Sequence, residues 1–431
     1  MPVLGSRVRA LFCLVFILSA MRVQAQNEAS DIPSALTLDN AIRLAMDRNP
    51  ALAAVKNGIH AAEGDRIAAG KRLNPAFSLQ FEDLPISTHP GSFFDVQGIT
   101  SRIDYEIEMG GRRQLRTEAA NQALEAQKRA YENQCRLMRL EVERAYYQTI
   151  LAKSNLESSK LILDQVERTI SLNRIRYKEG DISALDLNRI EVEKLKFQDD
   201  VFQTDLALRN AKCSLLALLN TADFSQEFDV IGALSVDYQN PEPGLPPQVP
   251  LKELIGLALR QRPDIAARLV EQRRADTETR LQQAIRSPNI TVGRGYKRNL
   301  EDNAVVFRVT VPLKIFNRNE GEIIRADAEK MRAASLVTAI RKDVHLDVQK
   351  AHNAAEINRQ RVEYIKTQQL KRAEESSWVT LQSYTLGEAT LMDYLDAQRT
   401  YRDALRIYNQ ALFDERISLY ELSSSIALGV Q

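Results

Sequence analysis

The residues able to carry chemistry are few and widely separated in this sequence. It contains four histidines and three cysteines. His345 and His352 share a predicted helix but lie about 10 Å apart along it, whereas two metal–nitrogen bonds span only about 4 Å. No nucleophile motif, phosphate loop, dinucleotide fingerprint, Cys-x-x-Cys or His-Glu-x-x-His pattern occurs. The sequence therefore predicts no enzyme, no cofactor and no metal site.

Carboxylates follow a clearer pattern than the histidines do. Asp393 and Asp396 are three residues apart on a predicted helix, so they share one face of it. Asp186 occupies the position equivalent to Asp393 in an earlier helix. Asp393 also suits a helix start, where the helix dipole favours a negative charge. The pattern is thus consistent with a charged site or with a helix cap.

A turn motif, Tyr-x-x-Gly-x5-Asp, occurs twice in the chain. Its members are Tyr177, Gly180 and Asp186 in the first copy and Tyr384, Gly387 and Asp393 in the second. Glycine lets the chain reverse between two helices. Earlier landmarks repeat at one constant spacing, with Leu38, Pro50 and Pro75 matching Leu251, Pro263 and Pro288. The chain therefore contains two copies of one plan.

Each copy is predicted to hold a short helix, a medium helix, two strands and two very long helices. The first copy is placed at 26–224 and the second at 251–431. The segment 225–250 between them is predicted to be a linker, since prolines cluster at 241–250.

The first 25 residues are predicted to be a signal peptide. Arg7 and Arg9 precede a short apolar run, and a small-x-small cleavage pattern ends at Ala25. The formal net charge of +1, from 58 basic and 57 acidic residues, gives no reason to invoke nucleic acid. We therefore expect an exported protein that does not bind nucleic acid.

Four segments alternate in polarity with a period of two, which predicts strands at about 75–84, 99–108, 289–297 and 303–314. The second carries a row of charges on its polar face: Arg102, Asp104, Glu106 and Glu108. The third segment has a weaker alternation because Arg294 falls on the apolar phase.

A soluble sheet with one face in water gives the same alternation. Strands of about 10 residues also suit a membrane, with the charges facing a water-filled lumen and the apolar face meeting lipid. Four strands cannot close a barrel, so an open duct needs several chains.

Very long helices are predicted at about 112–178, 183–220, 319–385 and 389–427. The stretches from about 112 to 177 and from about 322 to 384 lack proline and glycine. About 65 helical residues span roughly 100 Å. Their coiled-coil seam includes four polar residues: Ser159, Asn173, Lys194 and Thr204. This seam indicates either helices that also face water, like staves of a hollow cylinder, or an ordinary coiled coil with polar defects.

The duplicated turn motif, the proline-opened helices, the strand pairs and the long hairpins together resemble the TolC-type outer-membrane factors over nearly all of the mature chain. Further segments are most similar to the CzcC-like heavy-metal efflux branch of that family. These segments are Leu73-Asn74-Pro75, the run from Glu108 to Arg113, Val311-Pro312-Leu313 and the run from Asn317 to Gly321.

The resemblance implies a mainly α fold with a small β part, assembled as a homotrimer. The trimer would have a 12-stranded β-barrel in outer-membrane lipid and a 12-helix α-barrel in the periplasm. A periplasmic adaptor (membrane fusion protein) would dock on the tip turns, at Tyr177, Gly180, Tyr384 and Gly387, and an inner-membrane pump of the resistance-nodulation-division (RND) type would supply cargo. Rings of Asp393 and Asp396, with Asp186, would form the periplasmic gate. Some relatives lock the closed tip with an arginine where this chain has Ala389.

The function expected from the sequence is thus a passive outer-membrane duct that exports divalent heavy-metal cations. A duct for drugs or other small molecules is the alternative within the family. A structural coiled-coil protein of the envelope is the alternative outside it, but it would not need paired strands in each copy.

Overall fold

The computed structural model describes residues 32–82, 98–239, 245–246, 249–299 and 302–428. The predicted signal peptide, the long loop between the first two strands and parts of the proline-rich segment lie outside the described residues. Unit 1 comprises the described residues of 1–50, 137–247 and 351–424, and unit 2 those of 51–136, 248–350 and 425–431.

The helices and strands of the first copy begin with β1 (Ala35–Leu36), α1 (Leu38–Arg48) and α2 (Pro50–Gly70). They continue with β2 (Ala76–Glu82), β3 (Gly98–Ile107), α3 (Arg112–Glu179) and α4 (Ala184–Leu218). Thr37 caps α1 through its hydroxyl, and Pro50 opens α2, where a missing N–H costs nothing. With 68 residues, α3 is the longest helix described.

The second copy follows β4 (Asp229–Val230) and repeats this order. Its elements are α5 (Leu251–Gln261), α6 (Pro263–Ala284), β5 (Ile290–Asn299), β6 (Asn303–Thr310), α7 (Glu320–Tyr364), α8 (Lys371–Leu386) and α9 (Leu391–Ser425). The last strand ends at Thr310 rather than near residue 314. The third long helix is interrupted, since residues Ile365–Leu370 form a π-helical turn between α7 and α8. Among the described residues, no helix has the length and apolar character that a membrane span requires.

The four longer strands form one antiparallel sheet in unit 2, in the order β2, β3, β5, β6. The register places Phe77 beside Ile103, Ile103 beside Arg294, and Arg294 beside Phe307. Side chains alternate between faces along a strand. One face therefore carries most of the apolar side chains together with Arg294 and Arg298, and the other face carries the remaining charged side chains.

The core of unit 1 lies between the two long hairpins. Buried residues from α3, α4, α8 and α9 form one cluster: Ile162, Val166, Ile170, Ile190, Phe197, Tyr384, Tyr394 and Leu395. Helix periodicity brings these side chains to shared faces, where burial of each large apolar group stabilises the packing by about 1.5–3 kcal/mol.

Of the four polar seam residues, Lys194 is partly exposed and the other three are buried within the single chain. Asn173 is fully buried, and its amide donates to the Thr169 carbonyl oxygen at 3.0 Å. Thr204 is buried and donates to the Asp200 carbonyl oxygen at 2.8 Å. These hydrogen bonds satisfy the polar groups inside the packed hairpins, so burying them carries little penalty.

Residues 225–239, within the segment 225–250 that the sequence predicts to be a linker, pack against other parts of unit 1. β4 pairs in parallel with β1, and Phe228, Val230 and Leu234 are buried. The Arg416 guanidinium donates to the carbonyl oxygens of residues 233–235. This segment is therefore part of the packed body of unit 1.

Candidate functional site

Both tip turns end their helices through a left-handed glycine. Gly180 has φ of +87° and Gly387 has φ of +81°. The next residue in each turn, Asp181 or Glu388, donates its N–H to a carbonyl five residues back, at 2.9 and 2.8 Å. A Cβ added at either glycine would meet no atom within 4 Å. The turns thus require glycine for its backbone conformation and not for lack of space.

The two tip tyrosines have different environments although they are repeat partners. Tyr384 is 7% exposed and stacks on Tyr394, with ring centroids 5.9 Å apart. Its hydroxyl donates to Asn173 Oδ1, which links α8 to α3. Burial raises the pKa of Tyr384, so the hydroxyl stays a donor. Tyr177 is 44% exposed. Of the two, the Tyr177 ring is the one that a partner can reach.

Arg176 adds a second link between the hairpins at the tip. Its guanidinium donates to the Thr385 carbonyl oxygen at 2.8 Å and lies 5.6 Å from the centre of the Tyr384 ring. A cation over an aromatic face contributes about 0.5–2 kcal/mol, depending on desolvation. Arg176 therefore holds the first hairpin to the turn of the second.

Asp186 and Asp393 both cap helices. The Asp393 N–H donates to Thr390 Oγ1 at 3.2 Å, and Asp393 Oδ2 accepts from the Thr390 N–H at 2.9 Å. In the first copy the Asp186 N–H donates to Ser183 Oγ at 3.1 Å, and the Ser183 hydroxyl donates to Asp186 Oδ2 at 2.8 Å. The Thr390 hydroxyl and N–H lower the pKa of Asp393. This capping-box arrangement accounts for both aspartates without any ligand.

Asp396 lies one turn further along α9 and has a different role from Asp393. Its side chain is 64% exposed and pairs with Arg399 at 2.7 Å. Arg399 also pairs with Glu193 of α4, and Arg402 pairs with Asp200 of α4. The α9 arginines thus tie the second hairpin to the first.

These α4 to α9 ion pairs are not among the features predicted from the sequence. Their signal was present, because Glu193 and Asp200 are seven residues apart and therefore share a helix face that arginines of a neighbouring helix can meet. Ala389, at the position of the arginine found in some relatives, packs against the apolar core of the tip. The described ion pairs lie further along α9 than that position.

Apolar side chains remain exposed around both tip turns. Leu386 is 74% exposed, Leu185 59% and Ile175 54%. Sequence reasoning did not single them out, since isolated exposed leucines are common. With Tyr177, they give the tip exposed apolar side chains that a protein partner can cover.

The charged strand residues are paired with neighbours on the polar face of the sheet. Arg102 Nε donates to Asp104 at 2.8 Å, and both side chains are largely covered. A Cβ added at Gly293 would collide with Asp104, and one at Gly295 would collide with the Ser101 carbonyl oxygen. The two glycines of β5 therefore make room for the ion pair of β3.

The remaining two acidic strand residues also have partners. Glu106 accepts from the Asn289 amide at 2.7 Å, and Glu108 pairs with Arg116 at 2.6 Å. Each of the four charged residues predicted on the polar face thus has a partner within unit 2. The opposite face exposes its apolar side chains, with Phe307 78% and Phe77 69% exposed.

No group of three or more histidine, cysteine, aspartate or glutamate side chains in the described residues is arranged to hold a metal ion. The geometry therefore offers charged and apolar surfaces on a framework of long helices and a two-faced sheet.

The chain is similar to known proteins over most of its length. The sequence profile of the family described as outer membrane efflux protein matches residues 41–221 and 254–427. A cobalt-zinc-cadmium resistance protein, CzcC of Cupriavidus metallidurans, is 26% identical over 369 residues, which cover 85% of this chain and 84% of that protein.

Solved structures share the fold at low sequence identity. A membrane protein from Pseudomonas aeruginosa has a TM-score of 0.75 at 21% identity. The match covers 90% of this chain and 92% of the Pseudomonas aeruginosa chain. The outer membrane protein VceC from Vibrio cholerae has a TM-score of 0.73 at 19% identity. The match covers 91% of this chain and 97% of the VceC chain. Because the family profile covers both copies, the chain belongs to the outer membrane efflux protein family, non-enzymatic channels of the outer membrane that extend into the periplasm and form trimers in tripartite efflux systems.

Proposed function

We propose that this channel exports divalent heavy-metal cations, delivered by an inner-membrane RND-type pump and a periplasmic adaptor. The observation that carries the proposal is the similarity to the cobalt-zinc-cadmium resistance protein, which extends over most of both chains. The duct is passive, and the pump supplies the energy. A duct for drugs or other small molecules is the alternative within the same family.

Three copies of the four-stranded sheet would supply twelve strands to one barrel. The apolar face, with Phe77 and Phe307, would meet lipid, and the face with Arg102, Asp104, Glu106 and Glu108 would line the lumen. The exposed aromatic and aliphatic side chains support this orientation, since leaving them in water would be unfavourable.

The tip turns would dock on the adaptor. Gly180 and Gly387 shape the turns, and Tyr177, Leu185 and Leu386 offer exposed apolar contact area. Tyr384 would act by holding the turn, since its side chain is buried and hydrogen-bonded.

The periplasmic gate would depend mainly on Asp396. In a trimer this exposed carboxylate becomes a ring of three, which attracts cations and repels anions. Asp186 and Asp393 would contribute charge at the same level, although their carboxylates are engaged in helix capping.

Deletion of the gene tests the proposed cargo. We expect lower tolerance of zinc, cobalt and cadmium, restored by the wild-type gene, with tolerance of dyes and antibiotics unchanged. Loss of dye and antibiotic tolerance with unchanged metal tolerance would show that the cargo is a drug or another small molecule.

Planar-bilayer recording tests the duct itself. Purified trimers should open cation-preferring pores, whereas a structural coiled-coil protein of the envelope should open none. Chemical crosslinking of the same preparation checks that the particle is a trimer.

A further inference from the structure

Two arginines interrupt the apolar face of the sheet. Arg294 and Arg298 lie on β5 with Tyr296 between them, and alternation places all three on the face that carries Phe77 and Ile103. We name these three residues the β5 arginine strip. All three side chains are exposed.

The surroundings of Arg294 are apolar on both sides. Its directly paired neighbours are Ile103, which is 55% exposed, and Phe307, which is 78% exposed. Within the part of the chain that the structure describes, neither Arg294 nor Arg298 forms an ion pair with a carboxylate. On the opposite face, by contrast, Arg102 pairs with Asp104 and Lys297 pairs with Glu82.

The strip runs toward the loop edge of the sheet. In the strand register Arg298 lies opposite Ile99 of β3 and Asn303 of β6. These positions are at the edge of the sheet where the chain passes from β2 to β3 and from β5 to β6. Arg294 lies four residues further from that edge, or about 13 Å along the strand. Long arginine side chains can lie along apolar surface and extend the guanidinium toward a polar boundary.

An arginine facing lipid is costly unless an anion accompanies it. The cost is about 2–4 kcal/mol at the middle of the membrane and falls toward its surface. A guanidinium group can donate two parallel hydrogen bonds to the oxygens of one phosphate. Tyrosine favours the boundary between lipid and water. We propose that the β5 arginine strip binds the phosphate groups of an anionic lipid at the loop edge of the sheet. This inference rests on the proposed orientation of the apolar face toward lipid.

The test compares lipid retention by full-length trimers. Wild type, an Arg294→Gln/Arg298→Gln double variant and an Arg308→Gln control are equilibrated with equal amounts of phosphatidylglycerol and phosphatidylcholine, and bound lipid is counted by native mass spectrometry. Arg308 is on the same sheet but on the opposite face. We expect wild type and control to prefer phosphatidylglycerol and the double variant to lose that preference roughly tenfold.

Equal preference in the double variant and wild type, or no preference in wild type, would overturn the inference. Inorganic phosphate added at the same concentration should not displace the lipid; displacement would show a site for free phosphate instead. Pore recording on the wild-type preparation separates the two proposals. Pores without lipid preference contradict only the lipid site, whereas the absence of pores contradicts the duct.

Discussion

At the scale of single residues, Glu143 of α3 is a buried acid within unit 1. It is 4% exposed, and Arg139 Nε donates to its carboxylate at 3.0 Å. Burial outweighs this contact and raises the pKa of Glu143 to about 7. The folded state therefore holds the proton more tightly than the unfolded state does.

This shift predicts a pH-dependent stability. Glu143 stabilises the fold most below its ordinary pKa of 4.5, and that contribution is lost as the pH rises through about 7. Glu143→Gln should flatten the pH profile of the melting temperature over this range, with a difference on the order of 1–3 kcal/mol. Glu141→Gln, an exposed neighbour on the same helix, is the control and should leave the profile unchanged.

The tip glycines give a second prediction at this scale. Gly387→Ala should destabilise the protein by about 1–2 kcal/mol, because a residue with a Cβ is strained at a φ of +81°. Gly64→Ala in α2 is the matched control, since a Cβ there also meets no atom within 4 Å and alanine favours a helix. The melting temperature should therefore fall for Gly387→Ala and rise for Gly64→Ala. A lower melting temperature for both would contradict the conformational explanation.

At the scale of elements, the two hairpins of unit 1 are held together near their turns by unlike contacts. Arg176, Arg399 and Arg402 connect the hairpins. Tyr384 is buried and bonded to Asn173, whereas its repeat partner Tyr177 is exposed. The two copies of the motif have therefore taken different roles, one inside the packed tip and one at its surface.

Tyr384→Phe should loosen the tip, whereas Tyr177→Phe should not. The first change leaves the buried Asn173 oxygen without its donor, at a cost of about 1–3 kcal/mol, while the second removes an exposed hydroxyl. Limited proteolysis at the turns measures the difference as a cleavage rate. Equal rates for both variants would contradict a structural role for the Tyr384 hydroxyl.

Sequence periodicity predicts the long helices and the alternating strands because each contains many residues that repeat one spacing. It does not predict the pairing of β1 with β4, since each strand has two residues and no period. Nor does it predict the π-helical turn after Tyr364 or the burial of Asn173, which depend on neighbours distant in sequence. Contacts between distant parts of the chain limit the prediction of the tip site in the same way. The repeated motif identifies Gly387 and Asp393, but the partners of Arg399 and Arg402 come from packing.

At the scale of the whole molecule, a single chain has one Asp396 and the proposed trimer has three. Asp396→Asn should therefore lower the cation preference of the pore, measured as a smaller reversal potential in a salt gradient. Asp205→Asn is the control, since it removes another exposed helix carboxylate that pairs with an arginine. It should leave the reversal potential nearly unchanged. An unchanged reversal potential in the Asp396 variant would exclude this residue from the selective part of the pore.

The close fit of Gly293 and Gly295 against the Arg102 to Asp104 ion pair has an evolutionary consequence. A side chain at residue 293 would collide with the Asp104 carboxylate, whereas one at residue 295 would collide with the Ser101 carbonyl oxygen, which every residue at 101 retains. Related sequences should therefore change positions 293 and 104 jointly. Position 295 should remain glycine whatever residue occupies 102, even where the rest of the strand has diverged.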